Sequence, residues 1–298
     1  MKQLPVWILI RGLCREQQHW GDFPEMLTRQ LRQRCASHLL APRPVLTLDL
    51  PGNGCLHDQE SPATVPAMAE HLRQQVRQAL AAQGMVLGGQ HPVCVLALSM
   101  GGMVALEWAR RHPHEVEGLV LVNSSVRGLS AFYRRLRPRQ YFRILRLLMN
   151  PLDASRVESV ILDMTSQQQL MPRDRESLLA KWLSIRQRHP VTRRNVWRQL
   201  WASARYRWRG AQPVHAECLV LGCLGDELVH PSCSSRLAQA LDADHEWHPW
   251  AGHDLPLDDP NWLLDHLWSW WWPQHPEIRE HVALTAGVPS WSGDERKS

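Results

Sequence analysis

The sequence predicts an α/β fold in which a mostly parallel central sheet is flanked by helices. Short apolar runs, many of them rich in β-branched residues, recur along the chain, and segments with apolar residues three or four positions apart separate them. Strands that alternate with amphipathic helices are typical of a parallel sheet covered on both faces. The length of 298 residues is sufficient for one large core with an insertion.

Six runs are predicted to be strands, and the sixth has the weakest pattern: 6–12, 45–50, 93–99, 118–124, 218–224 and 246–250. Three segments between them have the clearest helical periodicity: 20–35, 65–83 and 103–112.

The stretch 126–214 interrupts this rhythm, since it has helical patterns and no convincing strand. It contains 19 Arg and Lys against 5 Asp and Glu, a balance of +14, whereas the rest of the chain has a balance of −9. We therefore predict a basic helical cap at 126–214 on an acidic core formed by 1–125 and 215–272. The tail 273–298 mixes proline with polar residues and is predicted to be loosely ordered.

Composition narrows the function classes. The longest apolar runs are far shorter than a membrane span, so no transmembrane helix is predicted, and the first residues are interpreted as a strand rather than a signal peptide. Seven scattered cysteines without a CxxC pair favour reduced thiols and a cytoplasmic location. The histidines lack metal-ligand spacing and no glycine-rich phosphate loop is found, so neither a metal nor a cofactor is predicted.

The segment LALSMGGMVALEWA, 96–109, places Ser99 where an apolar strand meets an amphipathic helix. A sharp turn at this junction needs small residues two positions before and after the serine, and Ala97 and Gly101 occupy them. Gly102 allows close packing of the helix on the sheet. These features predict a nucleophile elbow that exposes the Ser99 hydroxyl.

Together with this elbow, four segments in the same order resemble the α/β-hydrolase superfamily over about residues 6–270. These segments are IRGLCREQQHW at 10–20, LDLPGNG at 48–54, LGCLGDELVHP at 221–231 and WAGHDLPLDDPNWLLDHLWSW at 250–270. The resemblance implies the α/β-hydrolase fold, with a helical cap inserted into it. It also implies a catalytic triad in the chain order Ser, Asp, His.

On this resemblance, Ser99 is the nucleophile, His253 the base and Asp226 the acid that orients it. Glu227 is an alternative acid, and Asn123 stands where some relatives have theirs but cannot ionise.

The resemblance further implies an oxyanion hole formed by the backbone N–H groups of Leu13 and Met100. Arg11 replaces the usual histidine of that loop, which leaves its conformation open. Core packing is the default interpretation of Trp20, just after the loop, and Trp20 is also the candidate for the acyl pocket.

These residues predict a serine hydrolase that cleaves carboxylic esters through an acyl-enzyme. Its layout is most similar to the pimeloyl-acyl-carrier-protein methyl ester esterase type, which implies a small-molecule or carrier-linked acyl ester and an acidic carrier protein at the basic cap. A thioesterase, a lactonase or another triad-dependent hydrolase is the first alternative. A non-catalytic ligand-binding scaffold is the second, and an acidic core argues against nucleic acid.

The stretch 134–152 predicts a basic amphipathic helix. Arginines recur in it at helical spacing and apolar residues are offset from them: Arg139, Arg143 and Arg146, with Tyr141, Ile144, Leu145 and Leu148. Such a helix can bind an anionic membrane or an acidic protein, or it can be a solvated basic face over a buried apolar one. The sequence leaves these alternatives, and the oligomeric state, open.

Overall fold

The computed structural model describes residues 5–36, 43–89, 91–149, 153–207 and 213–271. Within these ranges one sheet contains six strands in the order β2-β1-β3-β4-β5-β6, and every neighbouring pair is parallel. The strands are β1 Val6–Ile10, β2 Val45–Leu48, β3 Val93–Leu98, β4 Val116–Val122, β5 Glu217–Cys223 and β6 Asp244–His248. The predicted mostly parallel α/β sheet is therefore confirmed.

The sixth strand lies slightly earlier in the chain than its predicted position at 246–250. β6 is the last strand at one side of the sheet and pairs only with β5 among the described strands. Its side chains are mostly partly or fully exposed. An edge strand needs fewer apolar residues than a central one, which explains its weak pattern.

The helices have the following bounds: α1 Phe23–Ala36, α2 Val65–Ala81, α3 Met100–Arg111, α4 Phe132–Arg135, α5 Pro138–Met149, α6 Ala154–Thr165, α7 Pro172–Arg188, α8 Arg193–Arg205, α9 Ser232–Leu241, α10 Leu255–Asp258 and α11 Pro260–Trp271. The three predicted helical segments correspond to α1, α2 and α3.

Two apolar cores lie on opposite faces of the sheet, because successive strand residues point to opposite sides. On β1, Ile8 packs in the core that contains the buried residues of α2 and α3. Trp7 and Leu9 pack in the other core, with the buried residues of α1 and α11. The buried tryptophans of α11 belong to this second core, and the tail 273–298 lies outside the described residues.

The inserted segment, residues 126–214, joins β4 to β5. Its described part contains helices α4 to α8 and no strand. A small apolar cluster of Leu162, Trp182 and Ile185 links α6 to α7. Nowhere in the described ranges is a helix both long enough and apolar enough to span a bilayer.

Four strands end together at one edge of the sheet. Ile10 of β1 is in register with Ala97 of β3, Leu98 of β3 with Val122 of β4, and Val122 with Leu221 of β5. The residues that follow these ends are therefore neighbours in space. Ligands of open α/β sheets bind outside this carboxyl edge.

Candidate active site

Ser99 occupies a strained turn at the carboxyl edge, between β3 and α3. Its φ is +57° and its ψ is −118°, a conformation that residues with a side chain rarely adopt. The Ser99 N–H donates to the carbonyl oxygen of Val122 at 2.9 Å, which ties the turn to β4. This geometry corresponds to the predicted elbow.

Gly101 allows the start of α3 to lie directly against the end of β1. A Cβ atom at this position would lie 2.6 Å from the carbonyl oxygen of Arg11 and 2.9 Å from that of Ile10. Both neighbours are backbone atoms, so a side chain would force the two elements apart. The predicted need for a small residue therefore has a definite structural cause.

The predicted oxyanion donors lie on either side of Ser99. Gly12, next to Leu13, is so close that an added Cβ would lie 3.0 Å from the Cβ of Ser99. The Leu13 N–H makes no hydrogen bond to another described residue, and Leu13 lines the same cavity as Ser99. Met100 is the first residue of α3, where an N–H group has no acceptor within the helix.

His253 and Asp226 form a buried pair. His253 Nδ1 lies 2.7 Å from Asp226 Oδ2, and both side chains are almost fully buried. The other oxygen, Asp226 Oδ1, accepts the backbone N–H groups of Leu228 at 2.8 Å and Val229 at 2.9 Å. The carboxylate is thus fixed, and it is Asp226 rather than Glu227 that contacts the imidazole.

Asn123, at the end of β4, holds the loop that carries His253. Its Nδ2 donates to the carbonyl oxygens of Gly252 at 3.1 Å and His253 at 3.0 Å, and its Oδ1 accepts the N–H of Cys223 at 3.0 Å. In the sequence, Asn123 stood where some relatives have their acid and could not ionise, and no pattern predicted a role for it. The structure assigns it a positioning contact instead.

Arg11 forms a bidentate ion pair with Asp254, the residue after the predicted base. The two N–O distances are 2.9 Å and 2.5 Å, and both side chains are buried. The Arg11 guanidinium also lies 5.1 Å from the ring centre of Trp20. Arg11 therefore joins the loop after β1 to the loop that carries His253.

Trp20 does not line the cavity. It is buried, and it stacks on Phe23 with a ring-centre distance of 5.7 Å, beneath the Arg11 side chain. The short 3₁₀ turn Gln17–Trp20 directs the indole into the core behind the loop. Core packing, the default interpretation from the sequence, fits this position.

Two side-chain amides support the loop after β1 from outside. Gln199 Oε1 accepts the Cys14 N–H at 2.9 Å, and Gln199 Nε2 donates to Asn53 Oδ1 at 2.9 Å. Asn53 Nδ2 in turn donates to the carbonyl oxygen of Arg15 at 3.1 Å. Asn53 belongs to the LDLPGNG turn, whereas no sequence pattern pointed to Gln199.

Ser99 and His253 line one cavity of about 350 Å³. Its apolar wall comes from helices of the inserted segment: Ile144, Leu147, Val157, Ile161, Met164, Val196 and Leu200. The sequence analysis did not identify these residues, because which face of each helix turns inward depends on how the segment packs on the core.

A buried carboxylate connects the inserted segment to the core. Glu158 of α6 pairs with Arg15 at 2.8 Å and also with Arg186 of α7, and the Arg15 guanidinium lies 4.1 Å from the ring centre of Trp182. Burial acts to raise the pKa of Glu158, but the two guanidinium groups outweigh it, so this pKa lies below its ordinary value.

Other chemistry finds little support at the cavity. Cys14 lines it, but burial raises the pKa of its thiol to about 12, so the thiolate needed for nucleophilic attack is scarce at neutral pH. No three His, Cys, Asp or Glu side chains among the described residues are grouped so that they could hold a metal ion.

Residues 8–266 match the family model described as "Alpha/beta hydrolase family". The chain belongs to the alpha/beta hydrolase family. A search of curated proteins gave no significant match.

Solved structures of this family share the fold of this alpha/beta hydrolase at low sequence identity. A thermophilic esterase from Thermogutta terrifontis has a TM-score of 0.66 and 18% identity, covering 95% of this chain and 92% of that chain. An enol-lactonase from Burkholderia xenovorans LB400 has a TM-score of 0.67 and 17% identity, with coverages of 90% and 91%. A hydrolase from Pseudomonas aeruginosa PA01 has a TM-score of 0.65 and 19% identity, with 89% of each chain covered.

The pair of Arg11 and Asp254 generates a prediction about stability. Removing one buried partner leaves the other charge uncompensated, so Arg11→Met and Asp254→Leu should each lower the free energy of unfolding by about 3–5 kcal/mol. The double variant leaves no uncompensated charge, so its loss of unfolding free energy should be clearly smaller than the sum of the losses in the two single variants. Urea unfolding of the four proteins measures this coupling, and additive costs would contradict it.

Glu158 generates a prediction about pH. Folding lowers the pKa of Glu158. Its contribution to the stability of the fold is therefore complete above the unfolded-state pKa and is lost as the pH falls through the folded-state pKa. Glu158→Gln should therefore lower the free energy of unfolding at neutral pH, by about 3 kcal/mol, and the difference from wild type should shrink in acid. Glu176→Gln, at an exposed position of α7, is the matched control, and an equal or growing difference in acid would refute the prediction.

Proposed function

We propose that this alpha/beta hydrolase cleaves carboxylic esters through an acyl-enzyme formed at Ser99. The observation that carries the proposal is the site itself: a serine in a strained turn shares one cavity with a histidine that is bonded to a buried aspartate. Serine needs such a base to lose its proton, and the base needs a carboxylate to hold its orientation.

In the proposed reaction, the Ser99 oxygen attacks the ester carbonyl while His253 accepts the hydroxyl proton. The Leu13 and Met100 N–H groups stabilise the negative oxygen of the tetrahedral intermediate. His253 then gives its proton to the departing alcohol, which leaves the acyl group on Ser99. A water molecule, deprotonated by His253, attacks this acyl group and releases the acid and the free serine hydroxyl.

The cavity favours an apolar acyl chain of small to medium size. Ligand pockets typically measure about 300–1,000 Å³ and are mostly apolar, and this one lies near the lower limit. We propose that residues 126–214 act as a cap over a core formed by 1–125 and 215–272, since helices of this segment form most of the apolar wall. The six cysteines whose side chains the structure describes are free, which supports a reducing, cytoplasmic compartment.

Replacing the nucleophile tests the proposal. Ser99→Ala should lower kcat for p-nitrophenyl butyrate by about 10⁴-fold or more, while the urea-unfolding curve stays cooperative. Ser269→Ala, at an exposed position of α11, is the matched control and should keep full activity. Activity retained in Ser99→Ala would remove the proposal. For the wild-type protein, kcat/KM values measured on a panel of esters, thioesters and lactones distinguish which bond is cleaved.

A carrier-linked or otherwise anionic acyl ester is the second candidate. Arg193 lines the cavity from an exposed position, and no carboxylate of the described residues pairs with it. Such a guanidinium can bind the carboxylate or phosphate of a substrate. This is also where the predicted acidic carrier protein would bring its acyl arm.

Arg193→Gln distinguishes the two substrate classes. It should lower kcat/KM several-fold for a monoester of a dicarboxylic acid and leave the value for a neutral ester of equal length unchanged, because only the first has a charge to lose. The effect should weaken at high salt. An equal loss for both esters would show that Arg193 does not recognise an anion.

A further inference from the structure

Helices α4 and α5 expose large apolar side chains to solvent. Phe132 of α4 is 74% exposed and Phe142 of α5 is 73% exposed, and Leu145 is exposed beside Phe142. Ile144 and Leu147, on the other side of α5, line the cavity. The helix therefore has apolar residues on two sides, and only one side is explained by the fold.

This outward side is not typical of the rest of the surface. Of the eleven exposed large hydrophobic residues that the structure describes, eight lie between 132 and 201, in the inserted segment. A patch of exposed apolar residues rimmed by polar ones usually marks an interaction site.

The same surface carries unneutralised positive charge. Residues 118–152 contain seven arginines and no Asp or Glu. Arg139, Arg143 and Arg146 recur at spacings of four and three, so they lie along one flank of α5 beside the apolar stripe. None of the three forms an ion pair with a described residue, and Arg139 and Arg143 are exposed.

We propose that these helices dock on the surface of an anionic lipid bilayer. The docking face consists of Phe132, Phe142 and Leu145, which enter the headgroup region, and Arg139, Arg143 and Arg146, which contact anionic headgroups. Basic helices with aromatic and aliphatic residues beside the charges lie in this way at membrane interfaces. The anionic leaflet supplies the complementary charge.

A lipid surface fits this face better than an acidic protein does. A contact made by charge alone would leave Phe132 and Phe142 in water, whereas the bilayer interface accommodates apolar and cationic side chains together. The proposal concerns binding and does not depend on the reaction. It does place the outer side of a cavity-lining helix on the membrane, where esters in the lipid are concentrated.

Co-sedimentation of the full-length protein with vesicles tests the proposal. The protein should bind vesicles of equimolar phosphatidylcholine and phosphatidylglycerol much more tightly than vesicles of phosphatidylcholine alone. Arg139→Gln/Arg143→Gln/Arg146→Gln should bind the anionic vesicles about 100-fold more weakly, because each basic residue near such a surface contributes about fivefold. Phe132→Ser/Phe142→Ser should weaken binding at least about tenfold.

Matched variants on the core control for net charge and for apolar exposure. Arg29→Gln/Arg32→Gln/Arg77→Gln removes the same charge from exposed positions of α1 and α2, and Val86→Ser removes an exposed apolar side chain far from α5 in sequence. Both should bind like wild type. Ser99→Ala should also bind like wild type, so failure of the docking proposal is distinguishable from failure of the proposed reaction.

Three results would overturn the proposal. The first is no binding to anionic vesicles, and the second is equal loss of binding in the docking-face and core variants. In the third, the protein binds purified acyl carrier protein instead of vesicles, and the docking-face variants lose this binding. We expect all docking-face variants to keep the wild-type kcat/KM on soluble p-nitrophenyl butyrate.

Discussion

The close approach of two backbones at Gly101 is the constraint on which the candidate site depends. The first turn of α3 lies against the carbonyl oxygens of Ile10 and Arg11, with no room for a side chain between them. This contact fixes the strained turn at Ser99 and brings the loop after β1 to the same point. The Ser99 hydroxyl and the loop after β1 therefore lie side by side at the carboxyl edge of the sheet, and the proposed reaction depends on this arrangement.

Electrostatic contacts hold the loops around this point. Asp226 orients His253, Asn123 binds the backbone of the histidine loop, and Arg11 pairs with Asp254. Buried charges are costly unless they are paired and hydrogen-bonded, and arginine suits such a position because its planar guanidinium binds a carboxylate through two bonds. Arg11 thus reaches from the loop after β1 to the loop that carries His253.

The strands and the elbow could be predicted from sequence because each depends on local pattern. Apolar runs marked β1 to β5, and LALSMGG contains the small residues that the turn at Ser99 requires. The ion pair of Arg11 and Asp254 could not be predicted, since its partners are 243 positions apart and neither has a local signature. Trp20 is close in sequence to the loop after β1, but a short 3₁₀ turn points its indole away from the cavity.

The inserted segment was the least predictable part. Its helices have apolar residues on more than one side, so periodicity did not decide which side lines the cavity. On α5, the alternative of a solvated basic face over a buried apolar one does not describe Tyr141 and Leu145, which are exposed, while Ile144 lines the cavity. Both packing on the core and an outer contact shape such a helix, and a single sequence does not separate the two.

The most direct test of the proposed active site is labelling with a fluorophosphonate, followed by mass spectrometry of the intact protein and its peptides. The probe reacts with an activated serine: the serine oxygen bonds to phosphorus and fluoride leaves. If His253 activates Ser99, we expect one adduct per chain, on the peptide that contains Ser99. Labelling should be lost in Ser99→Ala and should be much slower in His253→Gln. An unlabelled native protein, or an adduct on another residue while Ser99 stays unmodified, would contradict it.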